Sequence, residues 1–194
     1  MPLPPAFTID GVLPPFTGPQ GPGDDPAFMS PYIVTASEVV SRLGTDENRR
    51  GILVGWLKHR AALRSLGFVR GFQWLDGSFL ENKVPQDLDT VTFLHRPSGI
   101  QDGADLLQLM RASPHLFIRD AVKSAYKLDA FFIDLQGNPE TLVSISRYFL
   151  GLFSHQRDTF LWKGMAQVRL EDPVDDAAAI AALGAASGVA GDAP

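Results

Sequence analysis

The sequence predicts a small α/β domain, of the α+β kind, in which helices flank a mixed β-sheet. Helix-like and strand-like segments alternate in the order helix, strand, strand, helices, strand, helix and strand, which is typical of that class. The chain has 194 residues, 45% of them hydrophobic, which is enough to bury one core. It contains no Cys, so neither disulfides nor a cysteine zinc site can supplement that core.

The two ends of the chain differ from its middle in composition. Residues 1–31 are rich in Pro and Gly and predict an extended arm with apolar anchors such as Leu13 and Phe16. Residues 32–170 hold the predicted domain. From residue 171 the chain shifts to Ala, Gly and Asp, so 171–194 is predicted to be a flexible tail, with little to bury even if a short Ala helix forms.

The first half of the domain predicts two helices followed by two strands. Thr35 or Ser37 can cap a short helix that ends near residue 43. Asp46 opens a longer helix to about residue 66, with apolar residues at helical spacing and Gly67 as its stop. Strands are expected at 71–75 and 88–94. The second is rich in β-branched and aromatic residues, which favour a strand.

The second half predicts two further helices, a third strand, an amphipathic helix and a fourth strand. The turn 96–99, which contains Pro and Gly, separates the second strand from the helices. The expected bounds are, in order, 105–110, 115–124, 127–135, 140–153 and 165–170.

Charge and hydropathy narrow the classes of function. The net charge of −5 argues against broad, non-specific nucleic-acid binding, which needs a basic face. No window approaches the roughly 18 uncharged apolar residues of a membrane helix. No targeting segment is evident at the N-terminus. We therefore expect a cytoplasmic protein that does not bind a membrane.

Two nearby features combine into a candidate site for a metal ion and phosphates. Asp87 and Asp89 are two residues apart at the start of a strand, so their side chains point to the same face and repel each other unless a cation lies between them. Carboxylates are ligands that Mg²⁺ prefers. Gly77 lets the backbone approach phosphate oxygens, Ser78 adds a hydroxyl, and Lys83 lies in the linking segment, where it can reach a phosphate or remain a solvated loop residue.

This pattern resembles the DNA polymerase β-like nucleotidyltransferase superfamily. Its signature is a hydrophobic strand, Gly-Ser or Gly-Gly, a short gap, and Asp-x-Asp or Asp-x-Glu. It stands here as Trp74-Leu75-Asp76-Gly77-Ser78-Phe79 and Pro85-Gln86-Asp87-Leu88-Asp89-Thr90-Val91.

The chain also looks similar to the DUF6932 family of bacterial and phage proteins, for which a nucleotidyltransferase fold is predicted. The similarity covers most of residues 13–170. Its segments are Leu13-Pro14-Pro15, Asp76-Gly77-Ser78-Phe79, Phe153-Ser154-His155-Gln156-Arg157-Asp158 and Lys163-Gly164.

The superfamily resemblance implies a third carboxylate from a neighbouring strand. Asp129 is favoured because that acid tends to come early in its strand, and Asp134 is the fallback. Asp87, Asp89 and Asp129 would then be catalytic residues that hold Mg²⁺, with Mn²⁺ as a substitute. Gly77, Ser78 and Lys83 would bind the nucleotide. Arg157 and Lys163 would either neutralise phosphates or be surface charges beside the last strand.

Two functions from different classes follow from the resemblance. The first is a nucleotidyltransferase that moves a nucleoside monophosphate from a nucleoside triphosphate to a protein, an RNA end or a small molecule. Its setting would be a toxin–antitoxin or phage-defence system. The second is a catalytically silent binding module, an antitoxin-like protein that binds a partner without turnover. The sequence indicates neither the acceptor, nor the preferred base, nor the oligomeric state.

Overall fold

A five-stranded mixed sheet is the centre of the computed structural model, which describes residues 4–18, 21 and 25–188. The strand order is β1-β5-β2-β3-β4. The pairs β1–β5 and β3–β4 are parallel, while β2 is antiparallel to both of its neighbours. The predicted mixed sheet is therefore confirmed. The strands are β1 Tyr32–Val34, β2 Gly71–Asp76, β3 Leu88–Leu94, β4 Leu128–Asp134 and β5 Ala166–Arg169.

Seven α-helices accompany the sheet in the described part of the chain. Thr35 caps the first helix in a capping box: the Glu38 carboxylate accepts from the Thr35 N–H, and the Thr35 hydroxyl oxygen accepts from the Glu38 N–H. Asp46 caps the second helix, as the sequence predicts. The helices are α1 Ala36–Leu43, α2 Glu47–Ser65, α3 Gly103–Ala112, α4 Pro114–Phe117, α5 Arg119–Tyr126, α6 Pro139–Phe153 and α7 Pro173–Gly188.

The two faces of the sheet have different coverings. Because side chains alternate along a strand, Phe72 and Trp74 of β2 share one face with Phe93 of β3, and the Phe72 and Phe93 rings stack at 4.6 Å. Helix α6 lies on this aromatic face, with Phe149 5.1 Å from Phe131 of β4.

Helix α2 lies on the opposite face. Its Trp56 donates through Nε1 to the Gln73 side chain of β2, at 2.8 Å. His59 of the same helix contacts Phe132 of β4, at 5.9 Å between ring centroids. The apolar residues whose helical spacing predicts α2 are therefore on the side of the helix that packs against the sheet.

The single helix expected at 115–124 is two helices in the structure. Ile118 separates α4 from α5 and has an extended backbone, with φ −82° and ψ 120°. Strand β1 was not predicted, because three residues carry no readable period. It exists through its parallel pairing with β5, in which Tyr32 lies opposite Ala166.

The segment after residue 170 contributes to the core. Ala179 and Leu183 of α7 are buried in the main hydrophobic cluster, and Asp176 is buried against α2. The prediction that residues 171–194 have little to bury is therefore wrong for this helix. The error arose because α7 is rich in Ala all round, so its sequence does not distinguish the face that Asp176, Ala179 and Leu183 bury from the exposed one. Residues 189–194 lie outside the described part of the chain.

The N-terminal arm is anchored where the sequence places an anchor. Leu13 is fully buried, its N–H donates to Leu80, and its carbonyl accepts from Gly164 at 2.7 Å. Residues 1–3, 19–20 and 22–24 of the predicted arm are outside the described residues.

No helix among the described residues is both long enough and apolar enough to span a membrane.

Candidate functional site

Three aspartates lie side by side across three neighbouring strands. Asp76 at the end of β2 pairs in register with Asp89 of β3, and Asp89 pairs with Asp129 of β4. Register partners point to the same face, and adjacent strands are about 4.8 Å apart. Asp89 is therefore held between two other carboxylates at one edge of the aromatic face.

Asp87 adds a fourth carboxylate immediately before β3. It shares the face of Asp89 because the two residues are two positions apart. Its Oδ2 atom lies 2.5 Å from Lys123 Nζ of α5. The sequence-predicted acids Asp87, Asp89 and Asp129 are thus brought together by the structure.

Asp76, Asp87, Asp89 and Asp129 together form the acidic edge of the sheet. Gly77 packs against this edge in a way that only glycine permits. Its φ is +75°, in the left-handed region that side chains disfavour. A Cβ on Gly77 would lie 1.7 Å from Asp89 Oδ2. The Asp89 carboxylate therefore occupies the space that any other side chain would need, and the Gly-Ser turn is in direct contact with the acids.

The turn that begins at Gly77 is fixed by two buried cations. Residues Gly77–Leu80 form a 3₁₀ turn in which Ser78 is half-exposed. Lys163 Nζ donates to the Gly77 carbonyl at 3.0 Å. Arg49 of α2 donates to the Phe79 carbonyl at 2.8 Å. The backbone of the turn therefore has little freedom to move away from the carboxylates.

Lys163 is the counter-ion of two buried acids. Its Nζ lies 3.1 Å from Asp76 and 3.1 Å from Glu81, and only 3% of its side chain is exposed. The alternative that Lys163 is a surface charge is therefore wrong. Gln156 also donates to Glu81, at 2.9 Å, so the segment after α6 is tied to the turn.

Burial and like charge raise the pKa of the two innermost acids. Complete burial raises the pKa of Asp76 to about 7, against the opposing effect of Lys163. Burial, followed by the charges of Asp87 and Asp129, raises the pKa of Asp89 to about 6. The centre of the site thus disfavours a further negative charge and favours a cation.

Asp129 has the opposite environment because of one arginine. Arg119 of α5 donates through Nε and Nη2 to the two carboxylate oxygens, each at 2.5 Å. This fork-like pair holds the pKa of Asp129 below its ordinary value. Asp129 is therefore charged, and its oxygens are engaged.

The donor set fits Mg²⁺ in chemistry, although its side chains have other partners. Asp87, Asp89 and Asp129 offer the carboxylate oxygens that this ion prefers, on one face of the sheet. Within the described residues, no three His, Asp or Glu side chains are grouped as ready metal ligands. Arg119 and Lys123 hold two of the three carboxylates, so a metal ion has to displace these cations.

The remaining predicted residues have separate positions. Asp134 is the register partner of Leu94, five residues and about 16 Å along β4 from Asp129, and it pairs with Arg96 at 2.6 Å. It is therefore distant from Asp89. Lys83 lies 2.7 Å from Glu81 and is half-exposed.

Arg157 is exposed and close enough to influence two of the acids. Its charge opposes the rise in the pKa of Asp89, which burial dominates, and adds to the lowering of the pKa of Asp129, which Arg119 dominates. It is therefore at the open side of the site.

Sequence reasoning missed four groups that the structure places here: Asp76, Glu81, Arg119 and Lys123. Asp76 immediately precedes the Gly-Ser pair, but its role depends on the register with Asp89. Arg119 and Lys123 are four residues apart in a predicted helix that precedes the strand of Asp129. That spacing places both on one helical face, a signal that could have identified them.

The sheet and its acidic edge define a mixed α/β protein with a carboxylate-rich site at the start of two parallel strands. The chain belongs to the family of unknown function DUF6932, whose model matches residues 5–169. The match includes β1 to β5 and each residue of the acidic edge. No curated protein and no solved structure is significantly similar to the chain.

Proposed function

We propose that this protein is a Mg²⁺-dependent nucleotidyltransferase with the fold of the DNA polymerase β-like superfamily. It would transfer a nucleoside monophosphate from a nucleoside triphosphate to an acceptor. The observation that carries the proposal is the register of β3 and β4, which sets Asp129 beside Asp89, with Asp87 on the same face. The Gly-Ser turn that contacts Asp89 supports it further.

The residues divide into three groups by role. Asp87, Asp89 and Asp129 would hold Mg²⁺, which when bound supplies charge neutralisation on the triphosphate. Ser78 is half-exposed and would donate to a phosphate oxygen, while the Gly77 backbone allows close approach. Lys163 is fully engaged by Asp76, Glu81 and the Gly77 carbonyl, so we assign it the positioning of the turn.

The reaction is a substitution at the α-phosphorus. An acceptor hydroxyl oxygen forms a bond to that phosphorus, the bond to the bridging oxygen breaks, and pyrophosphate leaves with the electron pair. One of the site aspartates takes the hydroxyl proton. The acceptor would be a protein side chain, an RNA end or a small molecule. By analogy at the level of the fold, the setting would be a toxin–antitoxin or phage-defence system.

Label transfer tests this proposal directly. The protein is incubated with Mg²⁺ or Mn²⁺ and each α-labelled nucleoside triphosphate. The acceptors offered are the protein's own side chains, RNA and cell metabolites. We expect labelled product or pyrophosphate release that Asp87→Ala/Asp89→Ala abolishes. Asp158→Ala, a change at an exposed acid in a loop, is the matched control and should retain activity. If the protein binds neither the metal ion nor the nucleotide, the proposal is refuted.

A second candidate function is a silent binding module, antitoxin-like, that retains the fold without turnover. The observation that favours it is the neutralisation of Asp129 and Asp87 by Arg119 and Lys123 within the chain itself. A module of this kind would bind a partner protein and show metal-dependent nucleotide binding at most. Nucleotide binding without transfer to any acceptor would select this function over the enzyme.

A further inference from the structure

Helix α5 presents two cations to the acidic edge. Arg119 and Lys123 are four residues apart, so they lie on the same side of the helix, one turn from each other. Arg119 contacts Asp129 and Lys123 contacts Asp87, each at 2.5 Å. One helix therefore reaches two of the three carboxylates proposed to hold the metal ion.

The cations are exposed while their acidic partners are not. The side chain of Arg119 is 59% exposed and that of Lys123 is 49% exposed. The side chains of Asp129 and Asp87 are 10% and 16% exposed, and Asp129 lies in a strand. An exchange of partners would therefore move the cations and leave the carboxylates in place. The cations are already largely in water and a metal ion would take their place at the carboxylates, so such an exchange leaves no buried charge without a partner.

Arg119 has a second contact that would keep it near the site. Its guanidinium lies over the Phe131 ring, 5.2 Å from the centroid. Phe131 is two residues after Asp129 and shares its face of the sheet. This cation–π contact does not depend on the carboxylate, so the guanidinium has a reason to stay along β4 after it releases Asp129.

Charge balance decides where the released cations would go. A metal ion that binds Asp87 and Asp129 has to compete with Lys123 and Arg119 for the same oxygens. A triphosphate carried by that metal brings more negative charge than one divalent ion neutralises. Phosphate oxygens are also acceptors that Arg and Lys bind well, Arg in fork-like pairs.

We propose that Arg119 and Lys123 are the triphosphate-binding cations of the site, which hold Asp129 and Asp87 until the metal and triphosphate arrive and then change partner to the phosphates. The inference rests on the proposed function, since it uses the same carboxylates for the metal. Helix α5 would then both neutralise two carboxylates of the site before the substrate binds and recognise the charged end of the substrate.

The test measures two affinities with opposite expected changes. Mn²⁺ binding without nucleotide is followed by electron paramagnetic resonance, and binding of inorganic tripolyphosphate with Mg²⁺ by calorimetry. Tripolyphosphate removes any dependence on the base. For Arg119→Gln and Lys123→Gln we expect Mn²⁺ to bind several-fold more tightly, because a competing cation is gone. Tripolyphosphate should bind about tenfold more weakly for each variant, as expected for one lost charge-assisted hydrogen bond.

Conservative and remote variants separate the proposed role from a structural one. Arg119→Lys and Lys123→Arg retain the charge and should recover most of the tripolyphosphate affinity. Arg111→Gln removes an exposed cation from α3 and should change neither affinity. Circular dichroism and thermal melting establish that each variant is folded before its affinities are compared.

The outcomes distinguish failure of this inference from failure of the proposed function. If the wild type binds Mn²⁺ and tripolyphosphate but the Gln variants bind tripolyphosphate as the wild type does, α5 is not a phosphate-binding element. Unchanged Mn²⁺ affinity in those variants overturns the exchange of partners. If the wild type binds neither probe, the proposed function fails and this inference fails with it.

Discussion

Two ion-pair regions of this molecule use the same side-chain types in opposite surroundings. Between α2 and α7, Arg60 holds Asp176 through Nε at 2.7 Å and Nη2 at 2.9 Å, and Arg64 adds a contact at 2.7 Å. Arg60 and Asp176 are almost completely buried. On the acidic edge, Arg119 makes an equally close pair with Asp129 but has most of its surface in water.

The difference teaches which pairs hold the fold and which can exchange partners. The remaining Arg60 donors are also satisfied, because Nη1 donates to Gln73 and Nη2 donates to the Arg169 carbonyl. A buried charge of this kind cannot lose its partner without exposure to an apolar interior. Arg119 and Lys123 can instead turn to water or to phosphate at small cost.

The largest effect is expected from Asp176→Ala. The substitution leaves Arg60 buried without its counter-ion, which should lower the free energy of unfolding by about 3–5 kcal/mol. Urea denaturation measures the loss. Asp158→Ala, at an exposed position, should stay within about 0.5 kcal/mol of the wild type. A loss below about 1 kcal/mol for Asp176→Ala would mean that Arg60 has another way to satisfy its charge.

The next effect is a pH dependence of stability caused by His59, which precedes Arg60 in α2 and is fully buried. Burial lowers the pKa of His59 to about 4, below the roughly 6.5 of an unfolded chain. The unfolded state therefore binds a proton between these values while the folded state does not. Stability should fall by roughly 3 kcal/mol as pH drops from 7 to 4.

His59→Gln is the matched variant for that measurement. The Gln amide can still donate to the Leu116 carbonyl, which His59 Nε2 contacts at 3.0 Å. Subtracting the unfolding free energies of the two proteins at each pH removes every other titrating group, Asp76 included. A difference that stays constant from pH 7 to pH 4 would contradict the assignment of the neutral histidine.

A smaller effect on stability, with a large effect on the site, is expected from Gly77→Ala. The positive φ should cost about 1–3 kcal/mol, and the new Cβ must push the Asp89 carboxylate aside. Gly99→Ala has a φ of +93° but open space around it, so it carries the backbone cost alone. We expect Mn²⁺ binding to be lost in the first variant only. Equal Mn²⁺ affinities would show that close contact with Asp89 is dispensable.

The smallest change in stability is expected when both cations of α5 are removed. Arg119→Gln/Lys123→Gln breaks two ion pairs whose basic partners are largely in water. Its urea midpoint should move less than that of Asp176→Ala, because both deleted cations are already about half in water, whereas Asp176→Ala strands the fully buried Arg60. A loss as large as that of Asp176→Ala would place α5 among the structural ion pairs and remove the contrast.

Local patterns predicted those elements whose residues carry the signal themselves. Strand β3 has the predicted bounds, since its β-branched and aromatic residues favour a strand without help from its neighbours. The Asp46 cap was predicted, and the first cap was narrowed to Thr35 or Ser37, because a cap is a contact within one turn of the chain; the structure has Thr35. Gly77 and Asp89 are also joined by a short segment, and in the structure the turn at Gly77 contacts the Asp89 carboxylate.

Other features depend on contacts between residues that are distant in the sequence, and no local pattern indicates them. Strand β1 needs β5, and the burial of α7 needs Arg60 of α2, more than a hundred residues away. Only the superfamily resemblance favoured Asp129 over the fallback Asp134, and it is the β3–β4 register that places Asp129 beside Asp89. The sequence also left Lys163 undecided between surface and site.

By itself, the sequence determined the mixed α/β class, the strands that carry the acids and the glycine that contacts them. These depend on side-chain alternation, capping and backbone freedom, which act over a few residues. Only the tertiary structure decided which charges meet. Asp76, Asp89 and Asp129 become neighbours through strand register, and the burial of each cation determines whether it holds the fold or remains free to change partner.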